Sequence, residues 1–205
     1  MNKLFIFYII LFNRMEYFSE PFDINLLKNH ILKDPIVDWF NIISTKLYNF
    51  QKDKKSTYRD LILKESSEYK HNFIQKIKEI SENETVYCVN DTKKLIREKC
   101  PIIIYPKLIY RNMNVKCDIM VRSDYFKTIF PSVNNISFDL SSEKYILIDI
   151  SYSTVNFKSD KKECLNEGIL LYKKCALYAF QLALKEELNY NAMSFIIGKE
   201  YYYKK

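Results

Sequence analysis

Hydrophobic residues in the first eighty positions of this chain repeat with the period of an α-helix. Residues 24–32, 35–47 and 58–80 each place apolar side chains three or four positions apart. The second segment begins with a proline, which suits the first turn of a helix, and Ser56 or Thr57 can cap the third. The pattern therefore predicts a helical amino-terminal region.

Beyond this region the hydrophobic pattern changes to the alternation of β-strands. Residues 102–110 form an apolar run broken by Pro106, and every second side chain of residues 115–122 faces one apolar surface. Residues 144–150 are the most hydrophobic strand candidate, and residues 193–198 are the last one. These four segments are predicted to be extended.

One long helix is predicted between the last two strands. Residues 169–188 are apolar on almost every side, which predicts a helix packed on both sides, as a crossover connection on a sheet would be. Residues 123–143 are predicted to be a loop-rich insertion. The order of elements predicts an α/β fold in which a mixed β-sheet is flanked by helices.

The chain divides into three predicted regions. Residues 86–205 hold the sheet, residues 15–85 are a helical region that contributes the first core helix, and residues 1–14 are an apolar appendage. The apolar run 4–12 is far shorter than the about 20 residues that span a bilayer. Either translation starts at Met15, or the run is a small appendage. A signal sequence is a third alternative, although no small-residue cleavage site follows the run.

Composition narrows the classes of function. The 205 residues include 32 Lys and Arg against 25 Asp and Glu, and the net charge of +7 favours polyanions such as nucleic acid or acidic membranes. The 2 Gly exclude glycine-rich phosphate loops, and the 2 His exclude histidine-rich metal sites. The 5 dispersed Cys predict free thiols in a reducing, intracellular compartment, and not a secreted protein.

Two aspartates lie within otherwise apolar strand segments. Asp118 is on the polar face of its predicted strand, so a solvated side chain is one interpretation. Asp149 lies between Ile148 and Ile150, where a buried carboxylate needs a partner. A single aspartate of this kind favours a hydrogen-bonded structural role, whereas two on neighbouring strands favour a shared Mg²⁺ site.

Three segments together resemble a known family. The runs CDIMVRSDYF (117–126), YILIDISYST (145–154) and LLYKKCALYAFQLAL (170–184) resemble the PD-(D/E)XK nuclease superfamily, above all the RecB-like nuclease domains of large DNA viruses and bacteria. The run MSFIIGK (193–199) fits the family's last strand, and the similarity spans about residues 30–200. The resemblance implies a restriction-endonuclease-like sheet. For a viral protein, it also implies a location in the cytoplasm or nucleus of the host cell.

The resemblance also implies a chemistry. Members of this superfamily hydrolyse DNA phosphodiester bonds with Mg²⁺ or Mn²⁺, so Asp118 and Asp149 would bind the metal and Glu68 on the first core helix would be a further ligand. The partner would be nucleic acid, DNA above all, with no membrane involved, and Lys158 and Lys199 would contact it. Without the resemblance, Glu68 is a solvated helix residue.

The sequence departs from the family at one catalytic position. The lysine expected two residues beyond the second acid is Ser151 here, which brings no positive charge. Either another lysine replaces it, with Lys158, Lys173 and Lys174 as candidates, or the site is weakened. Lys173 and Lys174 match the family's helix motif, and their alternative role is to snorkel at the edge of a buried helix.

Three functions stay open at this level. The first is a metal-dependent deoxyribonuclease, and the second is an inactive nuclease-like domain that binds nucleic acid or a protein partner. Both require the carboxylates of Asp118 and Asp149 to lie within about 4–6 Å of each other, the span of one metal ion. The third, an unrelated α/β protein, is favoured if the two aspartates are far apart. The sequence predicts no oligomeric state.

Overall fold

The computed structural model of the chain describes residues 21–32, 57–81, 85–87, 91–133, 144–159 and 164–203. The predicted appendage 1–14, the predicted helix 35–47 and Cys88 lie outside these ranges. The four described cysteines are free, as expected, and Cys117 is buried.

The described residues form five α-helices and two short 3₁₀ turns, at Ile24–Leu27 and Ser123–Tyr125. They are α1 (Lys28–Ile31), α2 (Thr57–Ile80), α3 (Thr92–Arg97), α4 (Phe126–Ile129) and α5 (Gly168–Leu188). The strands are β1 (Phe22–Asp23), β2 (Thr85–Tyr87), β3 (Ile102–Ile104), β4 (Lys107–Tyr110), β5 (Met113–Lys116), β6 (Ile119–Arg122), β7 (Tyr145–Phe157) and β8 (Met193–Tyr203).

A mixed five-stranded sheet forms the centre of the fold. Its strand order is β2-β3-β6-β7-β8, with β6 antiparallel to both of its neighbours, β3 and β7. Helix α5 connects β7 to β8, which lies parallel to β7, and β2 lies parallel to β3. The chain is therefore α/β with a mixed sheet flanked by helices, as the sequence predicted.

Both faces of the central sheet are covered. Ile146, Ile148 and Ile150 of β7 pack on the side that holds α2 and α4, while Leu147 packs on the side that holds α5. Strands buried on both faces lose polar–apolar alternation, which explains the continuous apolar run in the sequence. Helix α5 buries mainly its sheet-facing side, and Tyr178 is 45% exposed, so the expectation that it packs on both sides is wrong for this residue.

A second, three-stranded sheet has the order β1-β5-β4. Residues 102–122 form one hairpin, in which β3 pairs with β6 and β4 pairs with β5. The hairpin keeps a single register, from the pair Ile102–Val121 through Lys107–Lys116 to Tyr110–Met113. This bent hairpin passes from one sheet to the other at its middle. There the Tyr105 amide donates to the carbonyl of Asp118 at 2.8 Å, and Tyr105 has a positive φ of 54°.

The bent hairpin corrects the expectation of one alternating strand over residues 115–122. The segment is two strands in two sheets, separated at Cys117 and Asp118. Met120 is buried rather than exposed, because β6 lies inside the central sheet and both of its faces are covered. Asp118, just before β6, is buried as well.

Other differences concern element boundaries. The amino-terminal region is not wholly helical, because β1 pairs in parallel with β5. The predicted loop-rich insertion contains α4, whose Phe126 and Ile129 are buried against the sheet. Strands β7 and β8 extend well beyond their predicted ends, with an irregular register between Ser151 and Thr154.

Among the described helices, none has the length and apolar character needed to cross a membrane.

We expect Gly198→Ala to destabilise the protein by about 1–3 kcal/mol, because a Cβ at this position would lie 2.4 Å from Cγ2 of Val155 and 3.0 Å from the carbonyl of Ser153. Urea unfolding measures the loss. A Val155→Ala background removes the nearest of these contacts, so the cost of Gly198→Ala should shrink. An equal cost in both backgrounds would argue against this contact as the cause.

Candidate active site

Asp118 lies at the bend of the hairpin, between β5 and β6. Its side chain is buried, with a relative exposure of 8%. One carboxylate oxygen, Oδ1, accepts a hydrogen bond from Nζ of Lys70 at 2.7 Å, and Oδ2 accepts one from the backbone amide of Ile150 at 2.7 Å. The interpretation of Asp118 as a solvated side chain is therefore wrong. The side chain links α2, the hairpin and β7.

Asp149 lies on β7, the strand next to β6. Its Oδ1 accepts a hydrogen bond from Nζ of Lys173 at 2.7 Å, and the same Nζ donates to the carbonyl of Ile150 at 3.1 Å. Lys173 comes from α5, whose buried face packs against this side of the sheet. The ion pair is largely enclosed, because both side chains are only 13% exposed.

Asp118 and Asp149 line the same cleft, and their carboxyl groups are near enough for each to shift the pKa of the other through a hydrogen bond. Burial, the hydrogen bond to Asp118 and repulsion by its charge raise the pKa of Asp149 to about 7. Burial also acts to raise the pKa of Asp118, but the hydrogen bond with Asp149 and the charge of Lys70 outweigh it, so this pKa is lowered. We call these two residues the carboxylate pair.

Lys70 is the residue of this site that the sequence did not single out as functional. Burial lowers its pKa, but the adjacent Asp118 carboxylate raises it by more, so Lys70 remains charged. A signal for it exists in the sequence, because Lys70 precedes the buried Ile74 and Ile77 by one and two helical turns and so lies on the same side of α2.

Ser151 and Lys174 do not contact the carboxylate pair. Ser151 is 2% exposed and its Oγ shares a hydrogen bond with Oγ of Ser153 at 2.6 Å. Nζ of Lys174 donates to the carbonyl of Cys164 at 2.7 Å and to Oδ1 of Asn166 at 2.8 Å. Of the two lysines predicted on this helix, Lys173 alone reaches the pair, because successive helix positions point about 100° apart.

The other predicted residues lie elsewhere. Glu68 is 55% exposed and pairs with Lys64 at 3.8 Å, so the structure does not bring it to the carboxylate pair as a metal ligand. Lys158 is exposed just beyond the end of β7. Nζ of Lys199 lies 4.5 Å from the ring centre of Tyr152 and donates to its hydroxyl at 3.2 Å.

The carboxylate pair lines a cleft of about 490 Å³. Lys70 and Lys173 stand beside the pair, and the rest of the wall is formed largely by the bent hairpin and the buried face of α5. The other lining residues are Ile24, Asn25, Tyr105, Lys107, Lys116, Cys117, Tyr172 and Ala176. Four lysines against two aspartates give the cleft an excess of positive charge.

The oxygen atoms at the base of this cleft suit a hard divalent cation. Within the described ranges no group of three or more His, Cys, Asp and Glu side chains forms a metal cluster. Mg²⁺ needs no such cluster, because one or two carboxylates and several waters commonly hold it. The ammonium group of Lys173 already contacts the carboxylate of Asp149 and the carbonyl of Ile150, so these oxygens converge on a cation position. The donor set therefore fits Mg²⁺ or Mn²⁺.

No protein-family model, curated protein or solved structure matches this chain.

We expect the free energy of unfolding to fall by about 1–3 kcal/mol as the pH rises from about 5 to about 8. The folded state keeps the Asp149 proton up to a pH of about 7, whereas the unfolded chain loses it at a pH of about 3.9. Between these values the folded state binds more protons, so raising the pH removes stability. The pKa of Asp118 is lowered, so its titration changes the free energy of unfolding only below this pH range. Urea unfolding in EDTA at several pH values measures the slope.

The variant Asp149→Asn should flatten this dependence, because its amide does not titrate. The matched control is Asp124→Asn, which removes an aspartate that pairs with Arg122 and whose pKa is lowered. This control should keep the wild-type slope over the same range. An unchanged slope in Asp149→Asn would contradict the assignment of the titration to the carboxylate pair.

Proposed function

We propose that this protein is a divergent PD-(D/E)XK-like nuclease that hydrolyses phosphodiester bonds of DNA with Mg²⁺ or Mn²⁺. The observation that carries the proposal is that Asp118, just before β6, and Asp149, on the adjacent strand β7, line one basic cleft, with Asp118 bound to the amide of Ile150 and Lys173 bound to Asp149. The succession α2, β6, β7, α5, β8 agrees with the element order that the resemblance implies.

Asp118 and Asp149 are the residues that would hold the metal ion. A bound Mg²⁺ polarises a phosphoryl oxygen and lowers the pKa of a water molecule. The backbone amide of Ile150 fixes the orientation of Asp118 through its 2.7 Å hydrogen bond. Because this amide neighbours Asp149 in the chain, the two carboxylates keep their relative position.

Lys173 takes the place of the lysine that the family motif puts two residues beyond the second acid. Its ammonium group reaches Asp149 from α5 instead of from β7. In either arrangement a positive charge lies beside the second carboxylate, where it can stabilise negative charge that develops on a phosphate. The change to Ser151 therefore does not remove the positive charge from the site.

One observation favours a second function, the binding of nucleic acid without cleavage. Each carboxylate already has an ammonium partner, Lys70 for Asp118 and Lys173 for Asp149. Above a pH of about 7, where Asp149 has lost its proton, two positive and two negative charges balance without a metal ion, so a metal ion must compete with the lysines. A protein that binds DNA in the cleft but cleaves none with either Mg²⁺ or Mn²⁺ would have this second function.

We expect Asp118→Asn and Asp149→Asn each to lower the rate of Mg²⁺-dependent DNA cleavage by at least about 100-fold. Loss of a metal ligand lowers activity more than loss of a residue that only hydrogen-bonds to a ligand. Linear, single-stranded and structured DNA should all be tried, with product formation followed on gels. The control variant Asp124→Asn removes an exposed carboxylate that pairs with Arg122, and it should cleave like wild type. Cleavage that persists in EDTA, or in both asparagine variants, would refute the proposal.

The role of Lys173 can be separated from that of its neighbour. We expect Lys173→Met to lower kcat by about 100-fold or more, because it removes the charge beside Asp149, while Lys174→Met changes kcat little. In the double variant Ser151→Lys, Lys173→Met, the lysine returns to the strand position on the same side as Asp149, and part of the activity should recover. Equal losses in the two single variants would count against a specific role for Lys173.

A further inference from the structure

We propose that Lys107 and Lys116 form a phosphate-binding subsite for a DNA strand that enters the cleft. The inference rests on the proposed function and adds to it the place where the strand is held. Neither lysine contacts the carboxylate pair, so the subsite concerns binding of the substrate and not the chemical step.

The two lysines are directly opposite each other in the bent hairpin. Lys107 on β4 pairs in register with Lys116 on β5, and both are exposed. Directly opposed side chains of an antiparallel pair have Cβ atoms about 4.5–5.5 Å apart, and like charges at this distance repel each other. An anion placed between the two ammonium groups turns this repulsion into attraction.

Both lysines line the cleft that contains the carboxylate pair. Lys116 is the last residue of β5 and precedes Asp118, at the bend of the hairpin, by two residues. A strand with one phosphate at the carboxylate pair can therefore place an adjacent phosphate at the two lysines.

The charges around these lysines leave them available to a phosphate. Lys116 forms an ion pair with Asp23 at 2.9 Å, but both side chains are nearly half exposed, and such surface pairs contribute little. Within the described ranges, no ion pair joins Lys107 to an acid. A phosphate, with its several oxygens, can contact both ammonium groups at once.

Tyr105 and the cleft dimensions favour one strand of nucleic acid over other anions. Tyr105 lines the cleft two residues before Lys107 and is 40% exposed, so its ring is accessible to a base. Stacking on an aromatic ring together with phosphate contacts is the usual way in which proteins bind single strands. The cleft volume of about 490 Å³ is in the range of pockets that hold small ligands, which suits a nucleotide of one strand.

The test is the salt dependence of DNA binding by the double variant Lys107→Gln, Lys116→Gln. The probe is a short single-stranded oligodeoxynucleotide with a 3′ fluorescein, and anisotropy is measured in EDTA so that no metal-dependent cleavage occurs. The matched control is Lys64→Gln, Lys94→Gln, which removes the same charge from two exposed lysines on α2 and α3.

We expect the cleft variant to bind about 10- to 100-fold more weakly at moderate salt. Its slope of log K against log salt should be shallower by about 1.4, the value for two lost phosphate contacts on a single strand. The control should stay close to wild type. In the cleavage assay the cleft variant should raise KM and leave kcat nearly unchanged.

Three results would overturn the proposal, and they differ in what else they overturn. If the cleft variant and the control bind DNA with equal affinity and equal salt slope, the subsite is wrong, whereas wild-type cleavage still supports the nuclease. If the wild-type protein neither binds nor cleaves the DNA, the proposed function fails together with the subsite. A change in kcat with an unchanged KM would also overturn a binding role.

Discussion

Two carboxylates can be buried side by side only if protons or cations compensate their charge. Asp118 and Asp149 meet this condition in three ways: the Lys70 ammonium, the Lys173 ammonium and the proton that Asp149 retains up to a pH of about 7. Each ammonium group comes from a different helix on an opposite side of the central sheet. The compensation of these two charges therefore joins α2, the sheet and α5 at one point.

The same requirement can be met by ammonium groups or by a metal ion. A hard cation and an ammonium group use the same carboxylate oxygens, so a metal ion must displace a lysine or share its oxygens. This competition separates the two functions considered above. The proposed nuclease needs a metal ion in place of Lys70, whereas binding without cleavage needs only that both lysines stay paired with the carboxylates.

The sequence was sufficient to locate Asp118 and Asp149, since an acid in an apolar strand requires a partner, and to predict α2, β7, α5 and β8, whose apolar periods are long. It was not sufficient to locate the bend in the hairpin. Residues 115–122 alternate without interruption, and only Pro106 on the partner strand marks the change of sheet. Which of Lys173 and Lys174 reaches the pair depends on the rotation of α5 about its axis, which a helix with apolar residues on most sides does not reveal.

Because the bent hairpin keeps a single register, the length of its turn determines which side chains of β5 and β6 face the cleft. Arg111 and Asn112 connect β4 to β5, and the pairing that they start continues without a shift to Ile102 and Val121. Insertion or deletion of one residue in this turn would reverse the orientation of every side chain on one strand. Asp118 would then leave the pair and Lys116 would leave the cleft together, so evolutionary change in the length of this turn should be strongly constrained.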